Sequence, residues 1–221
     1  MTRAVGPALR GAVFDLDGTL IDSLPDLAGA LNRSLACHGK PPLERSEVAA
    51  MVGDGATVLL RRGYAARGLE PSPSDLAMFL NDYEAHAAEL TEPFPGIPEV
   101  LADLRVKGLA LAICTNKPEA SARKVLAALD LEDYFCAIIG GDAIQHRKPD
   151  PRHLQAVLAA IGVPAANAVM IGDHRNDMLA ASGSNVIGIF VAWGYGTADA
   201  AYRVDRPAEL PATIAAALEH S

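Results

Sequence analysis

Two rhythms of apolar and polar positions divide the chain. Five short, nearly continuous apolar runs read as strands buried on both faces. They are Ala12-Val13-Phe14, Leu109-Ala110-Leu111-Ala112-Ile113-Cys114, Cys136-Ala137-Ile138-Ile139, Ala168-Val169-Met170-Ile171-Gly172 and Val186-Ile187-Gly188-Ile189-Phe190-Val191. Helical spacing fills residues 99–107, 120–129, 152–161 and 176–181 between the later runs. Such alternation predicts an α/β fold with a parallel sheet covered by helices on both faces. Residues 25 to about 90 keep a helical rhythm throughout, with stripes at Leu24, Leu27, Leu31, Leu35 and at Leu76, Phe79, Leu80, Tyr83. Gly39-Lys40-Pro41-Pro42 and Glu70-Pro71-Ser72-Pro73 break this stretch into pieces, and Pro93-Phe94-Pro95-Gly96-Ile97-Pro98 ends it. The pattern therefore predicts an all-helical insert, residues 22–93, within a core formed by 1–21 and 94–221.

Ligands of parallel sheets bind beyond the carboxyl ends of the strands, so a site is expected in the residues just past each run. The first run ends in Asp15-Leu16-Asp17-Gly18-Thr19-Leu20, an acidic corner on a turn. Alternate strand residues project to one side, so both acids can address one small volume. Like charges this close call for a cation or a reacting group between them. Another run ends in Thr115-Asn116-Lys117-Pro118, and another in Gly172-Asp173-His174-Arg175-Asn176-Asp177. A further one is followed by Gly140-Gly141-Asp142 and then by Arg147-Lys148-Pro149-Asp150-Pro151.

Asp15, Thr115, Lys148 and Asp173 each suit phosphoryl transfer, which rests on positioning and charge neutralisation. Asp15 and Asp173 offer the hard oxygen ligands that Mg²⁺ prefers, and a carboxylate can attack phosphorus to give an aspartyl-phosphate. Lys148 is a compact charge for both nucleophile and phosphate. Thr115, with its neighbour Asn116 and with Gly18 of the turn, completes the phosphate-binding set. Asp17 can protonate the leaving alcohol and deprotonate the attacking water. Singly, each position has a plain structural alternative. Asp173 and Asp177 can be a helix N-cap and a solvated acid. Lys148 can sit in a surface loop whose Asp150 caps a helix starting at Pro151. Thr115 can simply end a strand. Their joint occurrence past four strand ends favours the chemical reading.

These stretches resemble the four motifs of the haloacid dehalogenase-like phosphohydrolase superfamily. The resemblance implies a Rossmann-like core with a helical cap inserted after the first motif. It also implies Mg²⁺ held by Asp15, by Asp17 through its backbone carbonyl and by Asp173, with Asp177 in the outer shell. Asp17 speaks against dehalogenation, because the haloalkanoic branch lacks that second acid. Asp22-Ser23-Leu24-Pro25-Asp26-Leu27, Met51-Val52-Gly53-Asp54-Gly55-Ala56, Thr115-Asn116-Lys117-Pro118 and Trp193-Gly194-Tyr195-Gly196 are similar to the phosphoglycolate phosphatase family. That likeness implies a Mg²⁺-dependent phosphatase of a small anionic phosphate ester. Other sugar or amino-sugar phosphatases, a phosphomutase, and a phospho-Asp signalling module stand as alternatives. Asp54 departs from that family's usual Asn, and Ser182-Gly183-Ser184-Asn185 from its usual form.

Substrate choice is expected in the insert, where Gly53-Asp54-Gly55 makes a flexible turn and Arg61 and Arg62 follow. An arginine such as Arg62 can hold a substrate carboxylate by a forked pair; the alternative is a pair of solvated helix charges. His174 is expected to shape the site, and Trp193 and Tyr195 to pack on its loops.

Composition narrows the partners. The net charge of −8 comes with no basic stripe, which excludes nucleic acid as an expected partner. No apolar stretch is long enough to span a bilayer, and residues 1–10 lack the apolar run of a secretory signal. Cys37, Cys114 and Cys136 are odd in number and far apart, so small buried thiols in a reducing cytoplasm are expected. A monomer or homodimer is expected.

Overall fold

The computed structural model of the protein describes residues 10–219; the segment read above for a secretory signal lies, apart from Arg10, outside them. Six strands form one parallel sheet: β1 (Gly11–Phe14), β4 (Ala110–Cys114), β5 (Ala137–Ile139), β6 (Ala168–Gly172), β7 (Ile187–Val191) and β8 (Tyr202–Val204). Their order is β5-β4-β1-β6-β7-β8, so β1 is central and the chain changes direction beside it. Crevices at such a reversal are where open α/β sheets bind ligands.

The period of two along each strand sorts the side chains onto the two faces. Ala12, Phe14, Leu111, Ile113, Val169 and Ile171 meet α5 (Ile97–Val106), α6 (Glu119–Ala128) and α9 (Leu210–Glu219) in one apolar cluster. Val13, Ala112, Cys114, Ala168 and Met170 meet α7 (Pro151–Ile161) and α8 (Arg175–Gly183) in a second. Burial of both faces explains why the strands read as continuous apolar runs rather than as alternating ones.

The helical stretch holds α1 (Leu24–Cys37), α2 (Arg45–Ala49), α3 (Ala56–Ala65) and α4 (Pro73–His86). It leaves and re-enters the core through a two-stranded antiparallel ribbon, β2 (Ile21–Asp22) with β3 (Glu92–Pro93). Beside that ribbon the buried Asp26 carboxylate accepts the Leu90 and Thr91 amides and the Thr91 hydroxyl, at 2.7–3.1 Å. Departure and return are thus tied at one point. The apolar stripes read from the sequence face inward, with Leu27, Leu31, Leu35, Phe79 and Tyr83 buried.

Some expectations are revised. Cys114 is buried, but Cys37 and Cys136 are exposed, because one closes a helix and the other precedes a strand at the sheet's edge. Strand β8 and helix α9 were not anticipated. The helix-start alternative for Asp150 is correct: it caps α7, accepting the Arg152 amide at 3.0 Å, with Pro151 at the first helical position. Asp173 is not a cap; His174 takes that place on α8, accepting the Asn176 amide at 3.3 Å. Among the described residues no helix is long and apolar enough to cross a membrane.

Candidate active site

The chain past β1 turns back within one helical turn, the amides of Leu20 and Ile21 both bonding to the Leu16 carbonyl. Gly18 makes that turn with φ +82°, and a Cβ there would collide with the Asp173 carboxylate. The glycine therefore both permits the turn and lets the β1 and β6 ends approach. Asp15 lies at the root of the turn, its own amide on the Ile171 carbonyl at 2.9 Å. Its Oδ1 accepts the Leu16 amide at 2.7 Å and faces Lys148 Nζ at 2.9 Å. Its Oδ2 accepts no hydrogen bond among the described residues.

Lys148 is buried, and its second partner is the fully buried Asp177, at 2.6 Å. Burial alone would lower the pKa of this ammonium, but Asp15 and Asp177 outweigh it and hold the pKa above its ordinary value. Asp177 also accepts the His174 amide at 3.0 Å, so one carboxylate closes the start of α8 and holds the lysine. Burial pushes the Asp177 carboxyl upward, with Lys148 opposing and Asp15 and Asp173 adding to the rise. Behind Lys148, Nδ1 of the buried His153 accepts the lysine's amide at 3.3 Å. Burial, with the ammonium close by, pushes that imidazole down to about 4, so it stays neutral at pH 7.

Among the described residues Asp173 meets only neutral donors: the Thr19 hydroxyl at 3.0 Å and the amides of Tyr195 at 2.8 Å and Gly196 at 3.3 Å. Burial, reinforced by Asp15, pushes its carboxyl up to about 6. Asp15, Asp173 and Asp177 each offer an oxygen within 4.8 Å of the others, and all three are buried. Three buried carboxylates with one cation among them leave negative charge uncompensated. An all-oxygen set of this kind fits a hard divalent ion such as Mg²⁺.

Thr115 and Asn116 leave β4 beside this cluster, both buried. The Thr115 hydroxyl accepts the Lys117 amide at 3.2 Å. Asn116 Nδ2 donates to the Lys148 carbonyl and to the Gly53 carbonyl, each at 2.9 Å. A narrow cavity between sheet edge and insert is lined by Asp15, Asp17, Thr115, Asn116 and Lys117 on one side and by Val52, Gly53, Leu59 and Tyr83 on the other.

Asp17 is occupied in a way the sequence did not reveal. Ser23 donates to it at 2.6 Å, and Lys117 Nζ contacts both its oxygens, at 2.9 and 3.2 Å. Lys117 also donates to the hydroxyl of Tyr83 on α4 and lies 4.5 Å from the centroid of that ring. Burial would lower the pKa of this ammonium as well; Asp17 and Tyr83 reverse the direction. The stretch Thr115-Asn116-Lys117-Pro118 held the residue, but Tyr83 is 34 positions away and only the packing of α4 brings it there.

The turn at Gly53, Asp54 and Gly55 docks on the core. Asn176 Nδ2 donates to Asp54 Oδ1 at 2.7 Å, and Gly53, at φ +116°, lies so close to the His174 ring that a Cβ would stand 2.9 Å from it. Arg62 turns to Asp54 Oδ2 at 2.6 Å and to the Met51 carbonyl at 3.0 Å. Burial would raise the Asp54 carboxyl, but Asn176 and Arg62 hold it below the usual carboxylate range. This arginine fixes the shape of its own loop. Trp193 bonds the Thr19 carbonyl at 3.0 Å and Tyr195 bonds Asp22 at 2.7 Å, both supporting the loops.

Comparison with known proteins gives this arrangement its family. The pattern that defines haloacid dehalogenase-like hydrolases matches residues 12–191, and the chain belongs to that family. A phosphoglycolate phosphatase of Caulobacter vibrioides is 46% identical over 193 residues, 85% of this chain and 81% of that one. A phosphoglycolate phosphatase of Rhodospirillum rubrum is 39% identical over 194 residues, 84% of this chain and 80% of its relative. The crystal structure of a predicted phosphoglycolate phosphatase from Haemophilus somnus 129pt superposes with a TM-score of 0.85 at 25% identity, covering 94% of this chain and 99% of that one.

Proposed function

We propose that the protein is a Mg²⁺-dependent phosphatase that hydrolyses 2-phosphoglycolate to glycolate and phosphate through an aspartyl-phosphate on Asp15. One observation carries the chemistry. The Asp15 carboxylate stands at the end of the central strand with Lys148 on one oxygen, its other oxygen open, and two more buried acids close by. The relatives' names carry the substrate.

Asp15, Asp173 and the backbone carbonyl of Asp17 would hold the ion, with Asp177 beyond them. Bound there, Mg²⁺ supplies charge neutralisation for the phosphoryl oxygens. Lys148, Thr115, Asn116 and the amides around Gly18 bind the phosphoryl group. Asp15 Oδ attacks phosphorus as the bond to the leaving oxygen breaks, and Asp17 gives that oxygen its proton. Asp17 then takes a proton from water, which attacks phosphorus and frees Asp15. Residues 22–93 act as the cap that covers the cavity. A signalling module of the receiver kind is set aside by membership of a hydrolase family, and a mutase by relatives that hydrolyse. Residence in the cytoplasm belongs to the same proposal.

Phosphate release by the purified protein tests the reading. With excess Mg²⁺, 2-phosphoglycolate should exceed sugar and amino-sugar phosphates in kcat/KM by at least tenfold, and a chelator should stop turnover. Equal or better turnover of the sugar phosphates would overturn the substrate assignment. Unimpaired turnover after chelation would overturn the metal.

A further inference from the structure

Lys117 is a buried cation that the phosphoryl-transfer steps leave unused. It lines the cavity together with Asp15 and Asp17. An ammonium has three donors. Among the described residues its side-chain partners are both oxygens of Asp17 and the hydroxyl of Tyr83, and the contact to Asp17 Oδ2, the longer of the two at 3.2 Å, is the one an incoming anion would replace. Tyr83 fixes the direction of that ammonium from the helical insert, by its hydroxyl and by its ring face. Arg62, the other candidate for an anionic substrate group, is engaged with Asp54 and the Met51 carbonyl.

Position also matters. Lys117 Nζ is 2.9 Å from Oδ1 of Asp17, the residue that handles the leaving oxygen. Two groups hydrogen-bonded to one carboxylate stand about 4–5 Å apart. A leaving group that satisfies both must carry its negative charge within about that span of the ester oxygen. Resting on the phosphatase reading above, we propose that Lys117, oriented by Tyr83, binds the carboxylate of the substrate. Its spacing from Asp17 then selects esters whose carboxyl carbon is two bonds from the ester oxygen. Lys117 is thus a specificity residue that touches substrate, and Tyr83 its positioning residue.

The experiment compares kcat/KM for 2-phosphoglycolate and for ethyl phosphate, which has the same skeleton length without the charge, in the wild type and in Lys117→Met. A charge-assisted hydrogen bond supports a preference on the order of 10–100-fold. Wild type should show it, and the variant should bring the two substrates within threefold of each other, whatever happens to both rates. A variant that slows both substrates alike and keeps the wild-type ratio would show that Lys117 only partners Asp17, and would overturn the assignment while leaving the phosphatase reading intact. A wild type indifferent to the carboxylate would overturn the Lys117 assignment together with the choice of 2-phosphoglycolate as substrate, and would leave the phosphatase chemistry standing. Tyr83→Phe should lower the same ratio by a smaller factor, chiefly through KM; an unchanged ratio would remove Tyr83 from its role. Should Lys117→Met not fold, wild-type rates on esters lengthened by one and two methylenes read the same geometry. A drop of about tenfold at the first added methylene supports the spacing, and a flat series overturns it.

Discussion

Two buried lysines, each paired with a motif-one aspartate, divide the site into a floor and a roof. Lys148 is held wholly by the sheet core, between Asp15 and the fully buried Asp177, with His153 fixing its backbone. Lys117 is held between the core and the helical insert, on Asp17 below and Tyr83 above. Asp17 keeps 15% of its side chain exposed and has Ser23 as a second donor, whereas Asp177 has no exposure at all. The floor is thus closed, and the proposed reaction would share it whatever the substrate. The roof is assembled from two parts of the chain and, in the proposal above, faces what varies among substrates.

The largest expected effect strikes the floor. Asp15→Asn removes the proposed nucleophile and weakens the acid trio, so phosphate release should fall by roughly 10⁴–10⁶-fold with the fold retained. Steady-state assays with circular dichroism as a control decide this, and normal turnover from the folded variant would end the covalent mechanism. Lys148→Met should follow, with kcat/KM down about 10³-fold. It leaves Asp177 and Asp15 buried without their cation, a loss of about 3–5 kcal/mol in denaturant unfolding. Lys117→Met should cost less stability, about 1–2 kcal/mol, because Asp17 retains Ser23 and contact with solvent. Equal destabilisation by the two variants would erase the distinction between floor and roof. Next comes Asp17→Asn, expected to lose about 10²–10⁴-fold in rate, the usual range for acid–base catalysis. Acid-quenched samples of that variant should hold phospho-enzyme on Asp15, and their absence would move Asp17 from proton carrier to support.

The floor was legible in the sequence and the roof was not, for a physical reason. Asp15, Thr115, Lys148 and Asp173 each follow an apolar strand directly or within a short loop, so parallel-sheet topology alone gathers them at one edge. Local chemistry and a topological rule were sufficient. The Lys117–Tyr83 contact depends instead on how α4 packs over the core, and the stripe containing Tyr83 looks like any buried helix face. The surroundings of Arg62 were hidden for a related reason. A forked cation near a turn looks free until Asp54, eight residues earlier, is seen to claim it. At the end of the chain, β8 has three residues of which one is buried, too little for a pattern. Helix α9 did leave a signal, since Leu210, Ile214, Ala217 and Leu218 keep one face.

Acid pH probes the floor through Asp173. Burial raises its carboxyl from 3.8 to about 6, so the fold favours the protonated form. The stabilising contribution of that proton is complete below the ordinary carboxylate value and is lost as pH rises through about 6. Mg²⁺ needs the ionised form, so its stabilisation should show the opposite dependence. The rise in Tm on adding Mg²⁺ should be large at pH 7.5 and should shrink as pH falls below 6. Lys117→Met should keep that dependence, since its charge contacts the roof acid and not Asp173. A Mg²⁺ effect that stays constant from pH 5 to 7.5 would show that Asp173 is not a ligand.

The smallest effects belong to the outer rim of the roof. Arg62 is 43% exposed and Asp54 28%, and an ion pair at that exposure contributes about 0–1 kcal/mol. The amide of Asn176 reaches the same Asp54 carboxylate from α8, so the loop keeps one tether when the arginine is removed. Arg62→Ala should therefore shift unfolding by less than about 1 kcal/mol and change KM for 2-phosphoglycolate by no more than about threefold, with kcat unmoved. Asp54→Asn should do less still, because an amide oxygen accepts from Asn176 as the carboxylate does. A loss of more than tenfold in either variant, confined to KM and to substrates carrying a carboxylate, would transfer substrate recognition from Lys117 to this arginine.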